Sequence, residues 1–592
     1  MSAARPNRLL TALVLAVGSA QFVLIFRFEV NWDEFLNLSM LYEHQRGELR
    51  EILQTAFIHL FHWVPLLSQN EVTQVIAARC LVAGFALVTS LAIWATARHL
   101  TNHDGGKIAV FAYWSVSYVM QHGLALRTDT LAAAPIMVAL WLTVTRWQDM
   151  RAILGAGLLL GLASALTIKA VFFMPMLLIV ALVQMWGRIP VTQILCWVLL
   201  AGLAATCAFL AIIGLHSLTF NGFDSPLAFL DRTKDATLQA RDYSIFRSYA
   251  LYGVFHNPLF FVLLFIGVIR ALEQLATPAA RRMGLVSLAL LVPLFVPLVY
   301  RDMYPYFYAL LLPPVAVATA YGLNTFQRFS HVTVAVLVAF WVWNLGNALY
   351  QSNGHQARIL DVVHQSFAPE STYLDGRSMV SSYAKRGLFM STWGMTDYRA
   401  QGRAIYTDLL RRETPVFLLV NAAALYFDRF NPEAVEAHPH GLLAEDFTVL
   451  HDSFVPFWGP IRVPGRVVDP EMDAIEIFTP GLYANRGPGI LTIDEMTLDP
   501  GAEAMLDAGH YRVKTLNTST LALAVNPPTE AAPKGPVFHG FMYAPFTLSG
   551  GPLVMLSLSK TRLTLLGPTG SKLRKWPEFR TFVNTVNLGL LH

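Results

Sequence analysis

Long apolar runs separated by short polar breaks fill the first 350 residues of the chain, and beyond that point the pattern ends. Crossing the hydrocarbon core of a bilayer takes about 20 mostly apolar residues in a helix, because no water is present there to satisfy an open backbone hydrogen bond. By this criterion the pattern predicts about eleven spans, near 8–28, 72–97, 107–122, 129–146, 152–168, 171–187, 192–216, 254–271, 283–300, 303–323 and 330–350. The first block follows Arg5 and Arg8 and runs into Phe26-Arg27-Phe28-Glu29 with no small-residue cleavage site, so it reads as a retained helix rather than a secretory signal. Gly157 and Gly161, four apart inside one span, predict a close helix contact within the fold.

The polar breaks are short except at about 29–71 and 217–253. Within the first, Leu49, Ile52, Leu53, Ala56, Phe57, Leu60 and Phe61 fall at helical spacing, with Glu48, Arg50 and Glu51 off the stripe. That is the pattern of an amphipathic helix lying on the outer surface of a bilayer, with Trp32 and Trp63 as interface anchors. His59 and His62 read as interface histidines.

Composition agrees with the pattern and narrows it. Of 592 residues, 55% are hydrophobic and 14% charged, against roughly 25% charged in soluble domains. This excludes both an ordinary soluble enzyme and a disordered chain. A net charge of +4 gives no footing for nucleic acid, and Cys80, Cys196 and Cys207 all sit in apolar blocks, so no disulfide framework is indicated. After about residue 350 charges, prolines and glycines return to soluble levels. Three regions follow: a membrane domain at 1–350, an α/β segment at 351–435 and a β-rich domain at 436–592.

Charge placement orients the chain. With the N-terminus inside, inner connections carry Arg98, Lys107, Arg146, Arg151, Arg188, Arg270, Arg281, Arg282 and Arg328. Cytoplasmic loops carry the Lys/Arg excess, so the tail lies outside, which in a bacterium is the periplasm. Only Arg127, Lys169 and Arg301 occupy the short outer turns. Snorkelling and local pairing, Arg127 with Asp129 and Arg301 with Asp302, is one account of them. Three cations at one face point instead to a phosphate held at bilayer level. On the same face Asp33 and Glu34 follow directly on the first span, where an acid is costly and a function is the default expectation. A carboxylate there suits a general base on an acceptor hydroxyl or amine, or a divalent-cation ligand. Adjacent residues diverge by about 100° on a helix, so one acid points into the site and the other supports it.

No P-loop, Rossmann glycine pattern, HExxH, CxxC or GxSxG occurs, which leaves an activated substrate or a gradient as the energy source. A transporter or lipid flippase is the alternative to an enzyme, but the telling charges gather at one face rather than the midplane and no repeated halves are seen. A membrane-anchored binding module, with the tail as its active part, is the third class.

In order and sidedness these motifs resemble the integral membrane glycosyltransferases of the GT-C class, in particular bacterial relatives of protein O-mannosyltransferases and of the lipid A aminoarabinose transferase. The residues that carry the resemblance are Trp32-Asp33-Glu34 after the first span, Arg127-Thr128-Asp129 before a helix, Lys169 followed by Pro175, and the aromatic turn Arg301-Asp302-Met303-Tyr304-Pro305-Tyr306-Phe307-Tyr308. It covers about the first 350 residues. The resemblance implies a polytopic α-helical fold and a sugar donor on a polyprenyl phosphate. It also implies a lipid, glycan or protein acceptor, and inversion at the anomeric carbon. Asp33 maps to the catalytic base, with Glu34 and Asp129 beside it. Lys169, Arg301 and Arg127, in that order, are the cations for the leaving phosphate, and Tyr304, Tyr306 and His122 are further substrate contacts. Metal use varies in this class, so a divalent cation, Mg or Mn, stays open, with Asp129 or Glu34 as ligands if one is used. The basic loop at 217–253, with Arg232, Lys234, Arg241 and Arg247, is a lid or acceptor contact, or simply solvated.

In the tail, 357–367 and 405–412 read as helices, and 372–375 and 416–421 as strands. Past 436 helix signals fade, and 510–514 and 521–525 read as paired strands of a β-sandwich-like module. Asp375, Arg377, Tyr398 and Arg399 are candidate sugar or phosphate contacts, with ordinary surface polarity as the plainer account.

Overall fold

The computed structural model describes residues 8–227, 249–250, 253–300, 303–323, 331–426, 438, 440–532, 537–538, 555–559 and 562–566. Arg301 and Asp302, and Arg232, Lys234, Arg241 and Arg247, lie outside the described residues.

Every apolar block is helical. In chain order the helices of the first part are α1 (Arg8–Arg27), α2 (Trp32–Gln45), α3 (Ile58–Phe61), α4 (Glu71–Leu100), α5 (His103–Ser115), α6 (Ser117–His122), α7 (Thr128–Thr145), α8 (Met150–Leu166), α9 (Met174–Met185), α10 (Val191–Ser217), α11 (Pro258–Leu275), α12 (Arg281–Ala289), α13 (Tyr308–Ala318) and α14 (His331–Tyr350). Among the described residues, 8 helical stretches are long and apolar enough to cross a membrane, so the protein is a multi-pass membrane protein. The other three predicted spans are shorter or broken. Met150–Leu166 has 17 residues. Extended Val116 interrupts α5–α6. Flanking 3-10 turns, Pro305–Phe307 and Thr319–Gly322, bracket α13, which carries Pro313 and Pro314.

Helices α5, α6, α7 and α13 form the inside of the bundle; every residue of α13 is buried. The outermost is α10, with 6% of its apolar window buried against 72% for α7. Gly157 and Gly161 seat α8 on α10: a Cβ at either position would lie 2.3 Å from the carbonyl oxygen of Ala201 or Ala205. This is the close helix contact the glycine pair predicts.

The first loop differs from expectation. A capping box starts α2: Asp33 N donates to Asn31 Oδ1 at 2.8 Å, and Asn31 N donates to Glu34 Oε2 at 3.0 Å. The surface helix expected over 49–61 does not form; only Ile58–Phe61 is helical. Gln54 takes a left-handed φ of +64°, and Leu49, Ile52, Leu53, Phe57 and Phe61 are buried in the protein rather than in lipid. The helical spacing was real, but its apolar residues found partners on more than one side, and tertiary packing overrode the period.

The tail continues through α15 (Gly354–Ser366), α16 (Thr392–Gln401), α17 (Tyr406–Glu413) and α18 (Ala444–Ser453). Its strands β1 to β12 are Thr372–Asp375, Ala384–Arg386, Phe417–Leu419, Phe454–Trp458, Ile461–Val468, Ala474–Ile477, Gly481–Asn485, Leu491–Ile493, Met496–Leu498, Glu503–Leu506, Gly509–Thr515 and Ser519–Leu523. A parallel group β2-β1-β3 is extended by antiparallel β5, β12, β7 and β10 into an 8-stranded sheet, with β4 also on β5. The sheet therefore runs across the stretch where the sequence suggests a division at 435. A 4-stranded sheet, β6-β11-β8-β9, faces part of it over a core that includes Ile475, Tyr483, Leu491, Val513 and Leu521. Two expectations are corrected. Strands β11 and β12 do not pair with each other, since β11 joins β6 and β8 while β12 joins β5 and β7. A helix, α18, persists past 436; Asp446 near its start caps the first turn of α17, accepting from Tyr406 N at 2.8 Å. A final hairpin pairs Met555–Ser559 with Arg562–Leu566.

Polar contacts clamp the tail to the membrane domain around the first loop. Gln356 bonds both the N–H and the C=O of Val30, each at 2.9 Å. Buried Glu71 at the start of α4 accepts from the Ser382 hydroxyl at 2.6 Å and bonds His364 at 2.9 Å.

Candidate active site

The site forms where three chain breaks meet: the start of α2, the turn before α7 and the 3-10 segment Ile168–Phe173 between α8 and α9. Arg127 caps α7 in extended conformation, and Asp129 occupies its first turn, where an anion is favoured by the helix dipole. Two groups of α2 hold the turn: Glu34 Oε1 accepts from Leu126 N, and Asn37 Nδ2 donates to Leu126 O, both at 2.8 Å.

Charges alternate through the cluster. The Arg127 guanidinium donates to Asp33 Oδ2. Lys169 Nζ lies 2.9 and 3.1 Å from the two oxygens of Asp129. The Arg127–Asp129 contact is longer, 3.9 Å, so the local pairing suggested by the sequence is secondary to Asp33. Behind the cations stands an aromatic wall. The Arg127 guanidinium lies 3.5 Å from the Tyr306 ring centre, and Lys169 Nζ 5.1 Å from it. Tyr304 stacks on Tyr306 at 5.7 Å, and buried His122 meets the edge of Tyr306 at 6.4 Å. Asp33, Arg127, Asp129, Lys169, Tyr304, Tyr306 and His122, drawn from widely separated parts of the chain, thus share one cluster.

Glu34 takes the other direction. Its side chain is 1% exposed and receives Arg79 Nε at 2.8 Å and Nη2 at 2.5 Å, besides Leu126 N and Asn31 N. Arg79 also donates to the carbonyls of Phe28 at 2.8 Å and Glu29 at 2.9 Å, tying the end of α1 to α4. The divergence expected of adjacent helical residues is realised: Asp33, 22% exposed, faces the cluster, whereas Glu34 faces the core.

A cleft of about 900 Å³ runs between α8, α9 and α10 and is lined by Ile168, the residue before Lys169. Its lining is aliphatic, with Leu160, Leu177, Leu178 and Val198, joined by Gln54, Ile168 and Val171.

Comparisons with known proteins bear on the fold that carries this arrangement. Residues 57–212 match the family model described as dolichyl-phosphate-mannose-protein mannosyltransferase. ArnT from Cupriavidus metallidurans bound to undecaprenyl phosphate is similar in structure, with a TM-score of 0.51 and 13% identity over 70% of this chain and 92% of that one. The chain has the fold of GT-C membrane glycosyltransferases. The apo form of the same ArnT gives a TM-score of 0.48 at 12% identity, covering 71% of this chain and 93% of that one. The Archaeoglobus fulgidus oligosaccharyltransferase AglB, in complex with an inhibitory peptide and a dolichol phosphate, gives 0.46 at 11% identity, covering 88% and 97%. No curated protein matches the sequence.

The two carboxylates named for a divalent cation are each paired with a basic side chain. Asp129 already faces Lys169, and Glu34 faces Arg79. Among the described residues no group of three or more His, Cys, Asp or Glu side chains is placed to hold a metal. Sequence reasoning missed Arg79, Asn31 and Asn37. Arg79 carried a signal, a lone arginine inside the apolar block 72–97, where a charge has to be paired. Asn31 and Asn37 carried none that separates them from other loop amides. In the tail, Asp375 and Tyr398 go to structural bonds: Asp375 accepts from Met379 N at 2.8 Å, and Tyr398 donates to Asp446 at 2.5 Å.

Proposed function

We propose that this protein transfers a sugar from a polyprenyl-phosphate donor to an acceptor at the periplasmic face of a bacterial inner membrane, inverting the anomeric carbon. The observation that carries the reading is the position of Asp33. It is the most exposed carboxylate of the cluster and is bonded to Arg127, in a cluster that also holds Lys169, and Ile168, next to Lys169 in the chain, lines an aliphatic cleft. ArnT, similar in fold, binds undecaprenyl phosphate. A polyprenyl tail suits the cleft, with its phosphate toward Lys169 and Arg127. The positive-inside bias supports the orientation, N-terminus in the cytoplasm and tail in the periplasm.

In this mechanism Asp33 accepts the proton of the acceptor hydroxyl or amine as it attacks the anomeric carbon. The bond from that carbon to the phosphate oxygen breaks, and its electron pair leaves on the polyprenyl phosphate. Lys169 and Arg127 stabilise the added charge. Tyr306 keeps both cations in place, and Asp129 holds Lys169 until the phosphate enters. Glu34 positions rather than reacts: it fixes the Leu126 turn and the start of α2.

The test is transfer in vitro from a defined lipid-linked donor. Loss of a general base lowers turnover by about 10²–10⁴-fold, so Asp33→Asn should fall in that range. Unimpaired turnover by the folded variant refutes the assignment. Lipid flux in proteoliposomes without a glycosidic product would favour the flippase alternative.

A further inference from the structure

We infer that the cavity between the end of α9 and the start of α12 is a binding site for the headgroup of an anionic phospholipid, with Arg281 and Arg282 as its phosphate contacts. Lys169 lies in the segment that enters α9 and Trp186 follows its last residue, so the cavity and the candidate active site sit at opposite ends of one span. The inference stands apart from the transferase reading and uses none of its residues.

The cavity has a volume of about 340 Å³ and is lined by Leu182 and Trp186 on one side and by Pro278, Arg281, Arg282 and Leu285 on the other. Backbone contacts set its walls. Ala280 N and Arg281 N donate to the carbonyl of Thr277 at 3.0 and 2.8 Å, which closes the turn before α12. A Cβ at Gly284 would lie 2.5 Å from the carbonyl oxygen of Ala271, so α12 folds back tightly on α11. Arg282 reaches across to the end of α9 and donates to the carbonyls of Gln184 at 3.2 Å and Trp186 at 3.1 Å.

Cations gather here without a counter-ion. Among the described residues Arg188, Arg281 and Arg282 form no ion pair, and their hydrogen bonds go to backbone carbonyls: Arg281 to Leu275 at 3.0 Å, and Arg188 and Arg282 both to Gln184, at 3.4 and 3.2 Å. Two guanidinium groups on one carbonyl oxygen place like charges side by side. Burial, and then the neighbouring Arg282 charge, hold the Arg188 guanidinium below its ordinary value. Glu273 is taken by Arg270 at 2.7 Å, and the first turn of α12, where the helix dipole favours an anion, holds no acid. A guanidinium carries a fork of N–H donors, and those not spent on carbonyls suit bidentate recognition of a phosphate. The place of the cavity selects a lipid over a soluble anion. Ile179, one helical turn before Leu182, and Leu285 in the lining are exposed apolar residues within stretches long and apolar enough to cross a membrane, so acyl chains have a surface to lie against beside the headgroup. Trp186, also exposed, and Trp147, 4.6 Å from the Arg188 guanidinium, suit the membrane interface. Basic pockets between membrane helices take acidic headgroups in this way.

The experiment uses the full chain, purified and delipidated in neutral detergent. The probes are phosphatidylglycerol, phosphatidylcholine and soluble glycerol phosphate, and bound molecules are counted by native mass spectrometry over a titration. Wild type should hold one phosphatidylglycerol about tenfold or more tightly than phosphatidylcholine, whose choline ammonium meets the same arginines. Arg281→Ala should weaken that one lipid by about ten- to a hundredfold, the factor expected of lost hydrogen bonds to a charged group, with phosphatidylcholine unchanged. Arg281→Lys should keep part of the preference, because it retains the charge without the fork. Arg270→Ala, which removes a neighbouring arginine outside the cavity lining, should leave it intact. Glycerol phosphate, lacking acyl chains, should bind far more weakly than the lipid. Size exclusion checks that each variant is folded, and Arg281→Gln, which retains an N–H donor, replaces the alanine variant if that one aggregates. No preference in wild type, a preference undiminished once the Arg281 guanidinium is removed, or an equal loss in Arg270→Ala overturns the proposal. Glycerol phosphate binding as tightly as phosphatidylglycerol also overturns it, since the site would then serve a soluble phosphate.

Discussion

Replacing Glu34 by Gln tests whether this acid supports the site or reacts in it. The carboxylate accepts four hydrogen bonds, two from Arg79, one from Leu126 N and one from Asn31 N, with both charged side chains at most 2% exposed. The amide keeps the shape but turns a donor toward donors and leaves the Arg79 charge buried without its counter-ion. Removing one partner of a buried pair costs about 3–5 kcal/mol. At roughly 2 °C per kcal/mol, Tm should fall by about 6–10 °C. The assay is detergent-solubilised thermal unfolding followed by size-exclusion fluorescence. A Glu34→Leu/Arg79→Met double variant removes both charges together and should recover most of the loss, as buried pairs replaced by apolar groups do. If that variant is stable and still turns over, Glu34 is a positioning residue. A Tm within about 1 °C of wild type for Glu34→Gln would refute the structural role, since a buried, unpaired arginine cannot be that cheap. A stable double variant with no turnover would return Glu34 to the chemistry.

Further expectations follow the same physics. Gly161→Leu should abolish folding, because even a Cβ there lies 2.3 Å from the backbone of Ala205; loss of the monodisperse peak on size exclusion checks it. Lys169→Ala should lower turnover by about 10²–10³-fold and weaken donor binding, read by single-turnover kinetics over a donor titration. Tyr398→Phe removes the bond to Asp446 and should cost about 1.5–3 kcal/mol in stability with transfer unchanged, measured by thermal unfolding and initial rate. His44 and His59 are both held below the ordinary histidine value, chiefly by burial, with neighbouring histidines adding to it. A depressed histidine value means that the unfolded chain takes up protons first, so stability is full above about pH 6.5 and falls as the pH drops below it. Tm should therefore be lower at about pH 5.5 than at pH 7.5, and a His44→Gln/His59→Gln variant should flatten that slope.

The apolar runs by themselves determined that the chain is a multi-pass helical membrane protein, because lipid forces each span to satisfy its backbone internally and so writes the span into contiguous residues. Charge placement pointed to the candidate cluster in a similar way. A cation in a short turn between spans is costly enough to stand out, and Arg127 and Lys169 do meet Asp33 and Asp129 at one place. The Gly157–Gly161 contact was legible for the same reason, since only glycine permits the approach to Ala201 and Ala205. Tertiary structure decided what spacing cannot encode. The segment 49–61 has helical period, yet left-handed Gln54 and burial from several sides break it. Adjacent Asp33 and Glu34 are equivalent in the sequence, and Arg79, 45 residues from Glu34, takes one of them into the core. Arg377, a candidate contact in the tail with nothing in the sequence to place it, is brought over Trp32 by the turn after β1. Local patterns record the solvent each segment must meet; which charge faces which is set by contacts between distant residues, and those exist only once the bundle and its tail have closed together.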